Sequence, residues 1–185
     1  MECRGLREYI MKKKAILFTA LAAVCMGIIL IFVCTAAQQK GPINKFKEYL
    51  EQNNYSCSKY SCTMQSERVE DDITEIYTEV YQFKEHTFTA TWTYEDRSNE
   101  AIMQMEFIYN YADNTVTMKR YETADSCKAK EPDTVYLMNN EEMLECIQGD
   151  LIDSESELCN QMLSLKNVLK QHLEEAGVTV QDITL

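Results

Sequence analysis

The chain has 185 residues, with 30 acidic against 18 basic side chains and a formal net charge of −12. The basic residues gather at the front, so residues 38–185 hold 28 acidic and 13 basic side chains. A domain that acidic argues against nucleic acid or anionic lipid as a ligand; it suits cations or a basic partner, and its simpler reading is solubility through self-repulsion. Five Gly and two Pro make a turn-poor chain, unlike a sandwich of many short strands.

Residues 1–14 form a basic segment carrying Arg4, Arg7, Lys12, Lys13 and Lys14. Met11-Lys12-Lys13-Lys14 is itself a typical opening of a bacterial secretory signal. Arg7-Glu8 can be encoded by a purine-rich stretch resembling a ribosome-binding site, so in a bacterial source translation is expected to begin at Met11 rather than Met1.

From Ala15 to Ala37 there are 23 residues without a charge. At about 1.5 Å per residue a helix of this length crosses the roughly 30 Å hydrocarbon layer, whereas a cleaved signal has an apolar region of only about 7–15 residues. Residues 15–37 are therefore expected to be a transmembrane signal-anchor helix and to tie the chain to the cell membrane. Thr35-Ala36-Ala37 offers small residues for a signal peptidase; cleavage near Ala37 would make the protein secreted. A bacterial lipoprotein signal is a third reading. It wants a small residue just before its cysteine, and usually Leu three before. Cys25 has Val24 and Ala22 at those places, Cys34 has Val33 before it, and the chain stays apolar after Cys25. Both cysteines read as small apolar residues of a helix. The flanking charges put the N-terminus in the cytoplasm and residues 38–185 outside, by the positive-inside bias.

Gly41-Pro42 breaks the anchor, and Pro42 can open a new helix, since the first helical position needs no N–H. Ile43, Phe46 and Leu50 share one face, which predicts a short amphipathic helix over 42–52, packed on the domain. Strands follow. Residues 55–64 read as a strand or hairpin, and 76–83 are rich in β-branched and aromatic residues. Thr87 to Tyr94 alternates, with Phe88, Ala90, Trp92 and Tyr94 on one side and threonines on the other. Residues 101–111 alternate too, and Asp113-Asn114 is a turn before a strand over 115–121. Short connections imply an antiparallel meander of four to five strands with one covered face.

The last third reads as helical. Asn139 with Glu142 forms a capping-box pattern ahead of Met143, Leu144 and Ile147, with Gly149 as the stop. Ser154 with Glu157 forms a second, ahead of Leu158, Met162, Leu165 and Leu169 at helical spacing up to Gly177. Val178, Val180 and Ile183 are expected as a closing edge strand. The fold class is α+β, with N- and C-terminal helices covering the sheet. The order of elements resembles cystatin-like architectures at the level of layers, with no motif behind the likeness.

Five cysteines lie beyond the apolar stretch: Cys57, Cys62, Cys127, Cys146 and Cys159. Four residues separate Cys57 from Cys62, too many for a C-x-x-C metal or redox pair. On one extended strand they would stand about 16 Å apart, at roughly 3.3 Å per residue; on the two arms of a tight hairpin they could join as a disulfide. His86 and His172 are isolated, so no metal ligand set forms. Two acidic clusters, Glu67, Glu70, Asp71 and Asp72, and Asp150, Asp153, Glu155 and Glu157, lack the spacing of a calcium loop. The first reads as a solvated turn, and the second as acids complementing a helix N-terminus. The aromatic strands raise a sugar- or peptide-binding face, although opposite a Leu-rich helix such side chains are expected to be core. No catalytic residue, cofactor site or phosphate loop is assigned.

The functional expectation is a membrane-anchored extracytoplasmic binding module for a protein or envelope partner. Two alternatives stand beside it. One is an envelope assembly subunit, because three lysines before an apolar helix and a β-meander resemble type IV pilins; Lys14 before Ala15 and Thr19 where those proteins carry Glu depart from that pattern. The other is a thiol-dependent enzyme using one of the outer cysteines.

Overall fold

A computed structural model describes residues 41–150 and 155–184. The expected membrane helix over 15–37, the start-site question and the Ser154 cap lie outside these residues. Among the described residues no helix is long and apolar enough to cross a membrane. Pro42–Leu185 is a compact unit.

The chain enters it through α1 (Pro42–Gln52). Pro42 opens the helix, Phe46 and Leu50 are fully buried, and Asn54 ends it in the left-handed region at φ 68°. Eight strands follow: β1 (Ser56–Cys57), β2 (Ser61–Glu70), β3 (Ile73–Gln82), β4 (Thr87–Asp96), β5 (Ala101–Asn110), β6 (Thr115–Tyr121), β7 (Thr134–Met138) and β8 (Leu144–Gln148). They pair in chain order, antiparallel throughout, as one meander. A six-residue helix, α2 (Ala124–Ala129), sits between β6 and β7. After β8 come α3 (Glu155–Ala176) and the short α4 (Val180–Ile183).

The α+β class with an antiparallel sheet matches expectation, but the sheet has eight strands rather than four or five. One of the additional strands, β8, occupies the segment where a helix is predicted, and β7 ends just before it. Asn139 does act as a capping side chain: its Oδ1 accepts from Glu141 N at 2.9 Å and Met143 N at 3.0 Å. It caps a hairpin loop, however. Glu142 takes φ 62°, and Asn139 N donates to Met143 O, closing β7 onto β8. A capping box is a local hydrogen-bond pattern, and a loop can use the same donors when the next residues have a strand to pair with. Residues 180–183, expected as an edge strand, form α4 instead, because Thr179 and Asp182 make a capping box.

Gly149 is required by its surroundings. Its φ is 80°, and a Cβ there would stand 2.6 Å from the Asp133 carbonyl oxygen. Gly177 stops α3 at φ 63°, with Val178 N bonding back to Leu173 O at 3.0 Å, the six-residue closure that satisfies an orphan carbonyl.

Register sorts the helix-covered face of the sheet into rows. The first runs Cys62, Tyr81, Phe88, Tyr109, Val116, Met138, Leu144 across seven strands. The second runs Met64, Glu79, Ala90, Phe107, Met118, Tyr136, Cys146. These rows hold the core, against Phe46 and Leu50 of α1 and Leu158, Met162, Leu165, Leu169 and Leu173 of α3. Each fully buried aliphatic or aromatic side chain contributes about 1.5–3 kcal/mol. The third row, Ser66, Tyr77, Trp92, Met105, Arg120, is only partly covered. The fourth, Arg68, Glu75, Tyr94, Met103, and the fifth, Glu70, Ile73, Asp96, Ala101, lie exposed or half-exposed beyond the buried rows.

Candidate functional site

Two features of the helix-covered face carry side chains with chemistry. The first is a buried polar network. Glu79 is 5% exposed in the second row, between Tyr77 and Tyr81 on β3. Both oxygens of its carboxylate are used: the Tyr55 hydroxyl donates to one and the Tyr77 hydroxyl to the other. Next to it, the Tyr81 hydroxyl and His172 Nδ1 lie 2.6 Å apart, joining the sheet to α3. Tyr49 of α1 donates to Glu175 of α3 at 2.5 Å. The rings of Tyr49, Tyr55 and Tyr81 pack around that of His172 at 5.8, 6.1 and 6.1 Å.

Burial, then the hydrogen bond and charge of Glu79, push the Tyr55 and Tyr77 hydroxyls far above the ordinary phenol range. Burial also raises Tyr81, and burial with the Glu175 hydrogen bond moves Tyr49 up to about 12. Burial lowers His172, against the charges of Glu79 and Glu175. At neutral pH the network therefore holds neutral phenols and a neutral imidazole. Such phenols stay donors and cannot act as bases. The arrangement clamps α1, the chain before β1, β3 and α3 together.

The second feature is an apolar cleft of about 280 Å³ between the third row and α3. Tyr77, Trp92, Met105 and Phe107 form its sheet wall; Gln161, Ser164, Leu165 and Val168 form its helix wall. Trp92 is the one tryptophan of the chain and is 44% exposed. It packs on Tyr77 with centroids 4.5 Å apart and meets the edge of Phe107 at 5.8 Å. Tyr77 belongs to both features, with its ring in the cleft wall and its hydroxyl on Glu79.

The cysteines are placed as follows. Cys57 and Cys62 face each other across the β1–β2 hairpin, Cα atoms 4.0 Å apart, and their sulfurs are joined. Cys127, Cys146 and Cys159 are half-buried free thiols on α2, β8 and α3. Burial and the nearby Asp133 raise the Cys127 thiol. Glu67, Glu70, Asp71 and Asp72 sit at the β2–β3 hairpin, and Glu155 and Glu157 in the first turn of α3. Among the described residues no group of three or more His, Cys, Asp or Glu side chains converges as a metal set.

Sequence reasoning treats His172 as isolated, and misses Glu79 and the exposure of Trp92. The signal for Glu79 is present: it is the one charged residue in the alternating inward series Tyr77, Glu79, Tyr81. The exposure of Trp92 has no local signal, since its neighbours Phe88 and Ala90 on the same strand face are fully buried.

Fold and cleft define an α+β domain in which a continuous antiparallel meander covers two helices and leaves its third row open at a tryptophan. No protein family, curated protein or solved structure matches the chain.

Proposed function

We propose that the chain is a membrane-tethered, extracytoplasmic binding module whose contact surface is the cleft at Trp92. The observation that carries the reading is a large aromatic side chain, 44% exposed at the mouth of an apolar cleft. Burying such a side chain against a partner stabilises a complex, and tryptophan is enriched among residues that dominate binding energy. The tether rests on the 23 uncharged residues from Ala15 to Ala37 and the lysines before them. On that reading the bridge between Cys57 and Cys62 persists in an oxidising compartment.

A thiol-dependent activity needs a thiolate, and the raised Cys127 thiol is shifted in the opposite direction to an activated nucleophile. The test is capture from envelope extracts by the full-length protein, compared with a Trp92→Asp variant. Saturable capture that the variant loses supports the module; no saturable partner, or equal capture by both proteins, overturns it.

A further inference from the structure

We propose that the part of this sheet face left open by the helices takes an extended cationic segment of a partner protein. One apolar side chain of that segment fills the cleft at Trp92, and a basic residue two positions away meets Glu75. This deepens the binding-module reading and rests on it.

The rows supply the geometry. Side chains two apart on a strand share a face and stand about 7 Å apart, at roughly 3.3 Å per residue. Moving out from Trp92 and Tyr77 by one such step reaches Tyr94 and Glu75, and by a second reaches Asp96 and Ile73. The face therefore turns from apolar to acidic over the spacing at which an extended peptide repeats its own side chains. A second depression of about 420 Å³ is lined there by Arg68, Glu70, Asp71, Ile73, Glu75 and Tyr94. The cleft itself, about 280 Å³, is below the usual size of a drug-like ligand site and suits a single large side chain.

Charge selects the sign of the partner. The lone cation in this second depression, Arg68, bonds Glu70 at 2.7 Å. Asp96 is held by Ser98 and Asn99. Glu75 and Asp71 remain exposed, with no ion pair among the described residues. Residues 38–185 carry 15 more acidic than basic side chains, so the wider field draws a cation in the same direction. Arg68 stands across from Glu75 but is engaged by Glu70, so an anionic segment would still be repelled by Glu75 and Asp71, and a purely apolar one would leave these carboxylates beside it without gain.

The test uses the full-length protein in dodecyl maltoside micelles, with the chain's sole tryptophan as reporter. The probe is the end-blocked peptide Ser-Lys-Ser-Leu-Ser-Lys-Ser, which sets lysines two positions either side of one apolar residue. Titration to millimolar concentration is expected to shift Trp92 emission to the blue with saturation. Raising the salt to 1 M, where the Debye length is about 3 Å, should weaken binding. Glu75→Gln, an exposed change that leaves the fold alone, should raise Kd about two- to fivefold, the range for an exposed ion pair. The same peptide with Glu for Lys, or with Ser for Leu, should give no saturable shift. The proposal is overturned by the absence of a saturable shift with the lysine peptide. It is equally overturned by a matching response to the glutamate peptide, or by binding that ignores both salt and Glu75→Gln. If the peptide fails while envelope capture still depends on Trp92, only the partner class is wrong; if capture fails too, the module reading falls with it.

Discussion

Removing the two hydroxyls that hold Glu79 tests whether the tyrosine network secures the domain. Glu79 is 5% exposed and Tyr55 7% exposed, so water cannot take the place of a lost Tyr55 hydroxyl. A hydrogen bond to a charged group contributes about 1.5–3 kcal/mol, and full burial puts Tyr55→Phe toward the upper end, about 2–3 kcal/mol. Tyr77 lines the open cleft, so water replaces part of its bond and Tyr77→Phe should cost about 1 kcal/mol. The double variant strips a buried carboxylate of both donors, a condition that costs about 3–5 kcal/mol. Replacing that stranded charge as well, with Glu79→Met in the double variant, should recover part of the loss, because an apolar side chain needs no partner. The assay is urea unfolding followed by far-ultraviolet circular dichroism and Trp92 emission, analysed as a double-mutant cycle. A Tyr55→Phe cost below about 0.5 kcal/mol, or no recovery from Glu79→Met, would mean that the two hydroxyls do not secure Glu79.

Three further outcomes follow from the same structure. The Cys57–Cys62 bridge closes a short loop with a sequence separation of 5, for which loop entropy gives about 2 kcal/mol. Reduction should lower stability by that amount, and thiol counts on denatured protein should rise by two with reductant; equal counts would remove the bridge. Gly177→Ala should cost about 1 kcal/mol for its left-handed backbone, and Gly149→Ala more, because its Cβ also meets the Asp133 carbonyl; thermal unfolding checks the order. Burial lowers His172 below the ordinary 6.5, so the folded state binds its proton less readily than the unfolded chain. Its contribution is then complete above about pH 6.5 and is lost as pH falls through the lowered folded value. Urea midpoints measured from pH 8 to pH 5 should show a decline that His172→Phe reduces, and an identical decline in that variant would contradict the account.

The inner rows were legible where periodicity and burial agree. Pro42 with Phe46 and Leu50 marks α1, and the alternations at 87–94 and 101–111 mark β4 and β5 on their inward sides. Leu158, Met162, Leu165 and Leu169 mark α3, and Gly177 its end. The sequence misleads at Asn139, whose side chain offers the same acceptor to a helix start and to a hairpin loop. It misleads again at Val180, where apolar residues follow a helix stop and a second capping box outweighs strand propensity. Non-local coverage is the part no local pattern carries. Trp92 and Phe88 share a face and a strand, yet one is open and the other sealed, because α3 leaves a cleft against the third row. Glu79 reads as an error in an inward series until Tyr55, from a different part of the chain, supplies its second hydroxyl.

The sidedness of the domain decides the central claim. A membrane-impermeant maleimide added to intact cells producing the full chain should label Cys146, which is half-exposed on β8, to the same extent before and after lysis. Labelling of Cys146 only after lysis would place the domain in the cytoplasm and contradict an outward-facing binding module.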